Sequence, residues 1–187
     1  MKFKRVKLIG KNLGDIRPKL LDRGFEVVDD DFELVVAHGG DGTLLWSERD
    51  FPGVPKLPLR DARTAPLCRV HDYDTVLDDF AAGRLPLSVL PKLEGRTRDR
   101  TLTALNDIFV HNLDRVSALR YQVLIDGELY ATEIVGDSVG VSTVHGSTAY
   151  YRSITHSIFR VGIGLAFSNS TEEVNHLVLH EGSVIVV

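Results

Sequence analysis

Apolar residues follow two different rhythms along this chain, and the change between them divides it in two. Arg5 to Ile9 reads as a short apolar strand, and Asp15 is placed to cap a helix running to about Arg23, with Gly24 as its left-handed stop. Phe25 to Val28 is again strand-like. Leu34 to Ala37 is a continuous apolar run of the kind buried on both faces of a parallel sheet. The turn HGGDGT follows at once and Thr43 to Arg49 reads as helix, so the glycines lie between a strand exit and a helix start, where α/β proteins place ligands. Phe51 to Arg69, rich in Pro and Arg, reads as an irregular hinge with one short strand at its start. Tyr73, Val76, Leu77 and Phe80 then follow helical spacing behind Asp72, and Gly83 ends that helix.

Beyond this point the pattern becomes one of strands. Leu87 to Leu93, Thr101 to His111, Ala118 to Ile125, Glu128 to Val135, Val139 to Thr143, Val161 to Phe167, His176 to Leu179 and Ser183 to Val187 are all strand-like. Asp126-Gly127 between two of them signals a type I′ hairpin, whose central positions both need positive φ. One helix, near Ser147 to His156, interrupts the series, and there are no repeats or low-complexity segments. The expectation is an α/β N-terminal lobe over residues 1–85 followed by a mainly antiparallel β lobe over residues 86–187.

Composition adds exclusions. The 187 residues are 43% hydrophobic and 26% charged, enough to bury a core. The net charge of −4 is spread through interleaved acids and bases, which makes nucleic acid a poor partner. No apolar stretch reaches the roughly 20 residues that span a bilayer. The basic start MKFKRVKLIG lacks the apolar region of a signal peptide, so the expected address is cytoplasmic, away from membranes. Cys68 is the only cysteine, read as a small, partly buried side chain that excludes an internal disulfide and a thiolate zinc site.

Three constellations carry chemistry. In Gly39-Gly40-Asp41-Gly42-Thr43, small residues let backbone N–H groups approach an anion, and the following helix adds its positive end. Asp41 would repel a phosphate if the turn only bound anions; it makes sense as a general base or hydroxyl orienter where an alcohol receives a phosphoryl group. A turn stabilised by local hydrogen bonds is the plainer alternative. Asn106-Asp107 interrupts the apolar run LTALNDIFV, and buried there both side chains need polar partners such as a ribose; a solvent-facing strand end is the other possibility. The third runs from Gly136 to Ser153, where Asp137 follows a strand and Ser147 is placed to cap a helix, with Tyr150 near enough to share a cavity.

In this order, the GGDGT loop, the Asn-Asp pair after an apolar run and the GDS-to-VSTVHGSTAY stretch resemble the signature set of the ATP-dependent NAD kinase family. The GGDGT loop is shared with diacylglycerol and sphingosine kinases, while VSTVHGSTAY is similar to the NAD kinase side. The resemblance implies two lobes with NAD in the cleft between them and Mg²⁺ entering with ATP. It implies that Asp41 meets the ribose 2′-hydroxyl and that Gly39, Gly40, Gly42 and Thr43 surround the donor phosphates. Asn106 and Asp107 would contact the adenosine part of NAD, Asp137 the nicotinamide end, and Thr148, Ala149, Tyr150 and Ser153 the adenine pocket. It also implies a homodimer or homotetramer.

The chain departs from the family pattern at several places, and reads as a short, divergent member. Ser138 stands where the GDG block has its second glycine, Val144-His145 replaces Pro-Thr, and YRSITHS follows Tyr150. The glycine-bearing strand expected after the GGDGT helix is replaced by VPKLPLRDARTAPLC, and the chain ends soon after the strand Ser183 to Val187. These departures keep two rivals open: a non-catalytic NAD- or nucleotide-binding regulatory module, and a related kinase acting on a sugar or lipid alcohol. Of the remaining polar residues, His176 and His180 have metal-ligand spacing only if helical, and HLVLH reads as strand. His38 and His145 are given ordinary hydrogen-bonding roles, Trp46 is read as a packing residue, and Arg152 fits a phosphate contact and an exposed helix surface equally well.

Overall fold

The computed structural model describes residues 3–61, 63, 72–114 and 116–187. It divides into two compact units, Met1–Ser88 and Val89–Val187, each with its own core. Cys68 and the end of the segment read as a hinge lie outside the described residues.

In the first unit, β1 (Arg5–Gly10), β2 (Glu26–Val27), β3 (Leu34–Gly39) and β4 (Lys56–Arg60) form a parallel sheet in the order β2-β1-β3-β4. Every residue of β3 is buried, as its unbroken apolar sequence requires of a central parallel strand. Val6, Leu8, Leu34, Val36, Leu57 and Leu59 cover one face with Leu20 of α1 (Arg17–Leu21) and Leu77 of α3 (Tyr73–Ala81). Ile9, Val35 and Ala37 pack with Phe32, Phe51 and Val54 in a separate cluster. Asp72 caps α3 by accepting from the Asp74 N–H at 3.2 Å, and Gly83 closes it at φ +70°. Gly24 likewise has φ +79°, but the residue before α1 is Ile16 and no side chain caps it; Asp15 instead ends a single 3-10 turn and pairs with Arg63.

The supposed hinge contains a real strand. β4 pairs with β3 from Val35↔Lys56 to Gly39↔Arg60, with Leu57 and Leu59 inward and Pro58 exposed. Asp61 donates its N–H inward to Gly39 O at 3.0 Å, so alternation along the strand points the nitrogen of Pro58 outward. A sheet edge tolerates proline there, so the one short strand expected in this segment forms despite it.

The second unit is antiparallel. β7 (Asp107–His111), β10 (Ser138–Thr143), β11 (Ile163–Ser168) and β12 (Leu177–Leu179) form a sheet ordered β12-β11-β10-β7. A second sheet, β13-β8-β9, joins β8 (Leu119–Ile125), β9 (Glu128–Gly136) and β13 (Ile185–Val186), with the Asp126-Gly127 hairpin at φ 53° and 88° as expected. Val123, Ile134, Val139, Leu165 and Phe167 form the core. β5 (Leu93–Arg96) pairs with β6 (Thr101–Ala104) as a two-stranded ribbon.

Two strand expectations are corrected. Residues 87–92 form no strand: Pro86 and Pro91 withhold N–H donors, and Leu87 and Val89 are exposed. Thr101 to His111 is not one strand but β6 and β7, broken at Leu105-Asn106. There the backbone turns so that Asn106 O accepts the Thr143 N–H at 2.8 Å and Leu105 O accepts the Thr143 hydroxyl at 2.6 Å.

Candidate functional site

The strand order of the first unit reverses direction between β1 and β3, and open parallel sheets bind ligands beyond the carboxyl ends of strands at such a point. The GGDGT turn leaves β3 there. Gly39 is the last strand residue, Gly40 the helix N-cap, and Asp41 opens α2 (Asp41–Asp50), two residues earlier than the sequence suggested. The Gly40 carbonyl accepts the Thr43 N–H at 2.9 Å, while the first N–H groups of a helix have no intrahelical partner and face outward. The glycines have distinct reasons. A Cβ on Gly39 would lie 2.1 Å from Thr43 Oγ1, whereas one on Gly42 would meet nothing within 4 Å. Gly39 is needed by the fold; Gly42 leaves open space above the turn.

A cavity of about 250 Å³ adjoins this turn, lined by Gly39, Gly40, Asp41, Leu44, Leu59 and Arg60 among others. The Asp41 side chain is 80% exposed, and Arg60 Nη2 at the end of β4 stands 3.3 Å from its Oδ1. Sequence reading expected one short strand in this segment without giving its bounds, so Arg60 was missed; the alternation of Leu57 and Leu59 was the available signal. Asp61, the next residue, is buried and accepts from Asn12 Nδ2 and from the Arg63 N–H, which ties the end of β4 to the segment after β1. His38 has a structural place: fully buried, its Nδ1 lies 2.7 Å from Lys11 O and its Nε2 3.1 Å from Tyr73 Oη. Tyr73 in turn donates to Arg60 O at 2.8 Å, bracing β1, β3 and β4 at their carboxyl ends. Trp46 is half-exposed at 40% rather than packed away.

In the second unit, the break between β6 and β7 gathers several of the other candidates. Asn106 Oδ1 is buried and, among the described residues, has no hydrogen-bond partner. An orphaned buried amide oxygen has a desolvation penalty of about 1–3 kcal/mol, which a ligand donor would relieve. Asp107 is half-buried beside it and pairs with Ser142 in the ladder; burial pushes its carboxyl above the ordinary range. Gly146 fits against this turn so closely that a Cβ would sit 2.2 Å from Asn106 O. Tyr150 packs edge-on against Phe109 of β7 with ring centroids 4.7 Å apart. Thr148, Ala149 and Ser153 are exposed nearby in sequence, with Ser153 Oγ donating to Tyr150 O at 2.7 Å.

The helix-start expectation is corrected. Ser147 is not a cap but a buried residue of a 3-10 turn, donating to Phe159 O at 3.1 Å, and α4 (Tyr150–Thr155) starts after it with no side-chain cap. So short a helix offers no anion site at its start. Asp137 is not gathered with Asn106: it precedes β10 at the end opposite Ser142, roughly 16 Å away along the strand, and its Oδ2 accepts from Asn169 Nδ2 at 2.7 Å. His176 Nδ1 accepts from the Phe167 N–H at 3.2 Å, and no group of three or more metal-ligating side chains occurs among the described residues.

No family model matches the chain. It is 31% identical over 163 residues to the NAD kinase of Saccharolobus islandicus, which takes in 82% of this chain and 64% of that protein. It is 34% identical over 160 residues to the NAD kinase of Aquifex aeolicus, taking in 79% of this chain and 58% of that one. Over the stretch they share, the chain belongs to the NAD kinase family. It spans under two thirds of the length of these relatives. The family fold is also present: the structure of an Archaeoglobus fulgidus NAD kinase in complex with ATP superimposes with a TM-score of 0.79 at 20% identity, over 97% of this chain and 79% of that one. Yeast NADH kinase complexed with NADH superimposes with a TM-score of 0.72 at 18% identity, over 98% and 71% of the two chains. The NAD kinase arrangement, a parallel α/β sheet followed by antiparallel sheets, thus holds here despite the altered motifs.

Proposed function

We propose that this chain is an NAD kinase, transferring a phosphoryl group from ATP, or another donor, to the 2′-hydroxyl of the adenosine ribose of NAD to give NADP. The observation that carries this reading is a single carboxylate, Asp41, opening a helix inside a glycine turn beside a cavity, in a chain whose relatives are NAD kinases. Phosphoryl transfer passes through a loose transition state, so positioning and charge neutralisation do most of the work. Asp41 orients the ribose hydroxyl and takes its proton as the ribose oxygen bonds to the γ-phosphorus. The bond from that phosphorus to the β–γ bridging oxygen breaks, and ADP leaves with the bridging oxygen. The free N–H groups of the Gly39–Thr43 turn hold the donor phosphates, helped by the positive end of α2.

Magnesium would come with ATP as part of the donor, where it would supply charge neutralisation of the phosphates; the single carboxylate Asp41 and the open backbone cradle would suit an ion held mainly by its substrate. On the acceptor side, Asn106 and Asp107 are assigned to the adenosine part of NAD, with Thr148, Ala149, Tyr150 and Ser153 at the adenine and Asp137 at the nicotinamide end. The orphaned Asn106 oxygen and the desolvated Asp107 support this, since both want a polar ligand. Assembly as a homodimer or homotetramer belongs to the same reading. A cytoplasmic address belongs to the same reading; no helix among the described residues is long and apolar enough to cross a membrane.

The deciding assay incubates the purified chain with ATP, Mg²⁺ and NAD and measures NADP, with Asp41→Asn alongside. NADP formed by the wild type and lost in the variant supports the reading. Tight NAD binding with no NADP from either would make the chain a regulatory binding module, and transfer only to a sugar or lipid alcohol would move it to a related kinase.

A further inference from the structure

A carboxylate at the heart of a phosphate site is electrostatically awkward, and the chain resolves the problem with a residue outside the glycine turn. Arg60 comes from the end of β4, lines the same cavity as Gly39, Gly40 and Asp41, and is only 28% exposed. Its backbone is held in place: Tyr73 donates to its carbonyl, and the next residue, Asp61, is anchored to Gly39 O through its N–H. A guanidinium presents five N–H donors, yet among the described residues this one donates to a single acceptor, Asp41 Oδ1, at 3.3 Å. A largely covered cation with most of its donors unspent, beside a cavity edged by backbone N–H groups, suits a pair of anionic oxygens.

We propose that Arg60 binds the donor's terminal phosphates and bridges them to Asp41, so that anionic donor and carboxylate can share one site; this rests on the phosphoryl-transfer reading above. In the ligand-free chain Asp41 occupies part of the guanidinium fork, and polyphosphate takes the remaining donors. Arg60 stands within the segment VPKLPLRDARTAPLC, where the sequence departs from the family pattern, so the role belongs to this chain's own residues.

The test measures binding of inorganic tripolyphosphate, and separately of Mg-ATP and NAD, by calorimetry on the wild type, Arg60→Met, Arg60→Lys and Asp41→Asn, with thermal melting as a check on folding. Arg60→Met should weaken tripolyphosphate about tenfold or more, as expected for loss of charge-assisted hydrogen bonds, and leave NAD affinity unchanged. Arg60→Lys should recover part of the loss. Asp41→Asn should keep or improve tripolyphosphate binding because a repelling charge is gone. A merely structural ion pair would make Asp41→Asn and Arg60→Met fail together, and that outcome overturns the proposal. So does unchanged tripolyphosphate affinity in Arg60→Met, or a wild type that binds no polyphosphate. If the wild type forms NADP while Arg60→Met keeps its KM for ATP, the assignment of Arg60 falls and the kinase reading stands. If tripolyphosphate binding depends on Arg60 but no NADP forms, the assignment stands and the kinase reading falls.

Discussion

Asp41 and Asp107 are both acids set where an apolar strand meets a polar turn, and the molecule treats them in opposite ways. Asp41 projects from the first residue of a helix, largely exposed, with a guanidinium beside it and backbone N–H groups around it. Asp107 is half-buried next to an amide oxygen that lacks a donor, and no cation is among the causes acting on its carboxyl. The first setting suits a group that meets a charged, mobile reactant and handles a proton. The second suits a group waiting to be paired by a neutral polar ligand, at a standing expense to the fold. A surface pair such as Arg60–Asp41 contributes only about 0–1 kcal/mol to stability, so it does little to hold the fold.

The sharpest way to break this contrast is Asp41→Asn. If Asp41 handles the hydroxyl proton, NADP formation should drop by roughly 10²- to 10⁴-fold while the melting temperature barely moves. A variant with near-normal turnover would remove Asp41 from the chemistry. Gly146→Ala should behave in the reverse manner: with Asn106 O only 2.2 Å from the new Cβ, the unit should lose roughly 2–3 kcal/mol in urea unfolding, and NAD binding should weaken with it. Two of the turn's three glycines sharpen the point. Gly39→Ala strikes Thr43 and should destabilise by about 1–3 kcal/mol. Gly42→Ala meets nothing, so melting should hold or rise while KM for ATP increases; an unchanged KM would mean that no donor approaches there.

The smallest effect concerns Asp107. Because burial raises its folded value, the native chain holds this proton more firmly than the unfolded chain does. Its contribution to stability is therefore fully present below the unfolded value of about 4 and is lost as pH rises through the raised folded one. Urea midpoints taken across this range should fall more for wild type than for Asp107→Asn. Parallel profiles for the two proteins would mean that the carboxyl is not desolvated.

What the sequence could reveal depended on whether the signal was local. LVVA announced a central parallel strand because burial on both faces leaves no polar positions, and Asp126-Gly127 announced a hairpin because few dipeptides accept two positive φ values. Asp72, Gly24 and Gly83 marked helix ends for the same kind of reason. The strand failures were non-local. Residues 87–92 have the apolar content of a strand but no partner. The break at Leu105-Asn106 is dictated by Thr143, more than thirty residues away, and nothing near Asn106 announces it. The glycine turn was legible as a motif, but Arg60 was not, since its approach to Asp41 depends on β4 lying alongside β3.

The outward nitrogen of Pro58 has a consequence for the chain's behaviour in a crowded solution. A strand approaching the outer edge of β4 finds no donor at that position, and the carbonyl of Arg60 is already taken by Tyr73. The opposite rim, β2, is two residues long and offers almost nothing to template on. Four parallel strands rich in Val and Leu would otherwise invite stacking into fibrils; here both rims are blunted, and replacing Pro58 with valine should raise the tendency to aggregate on heating before it alters catalysis.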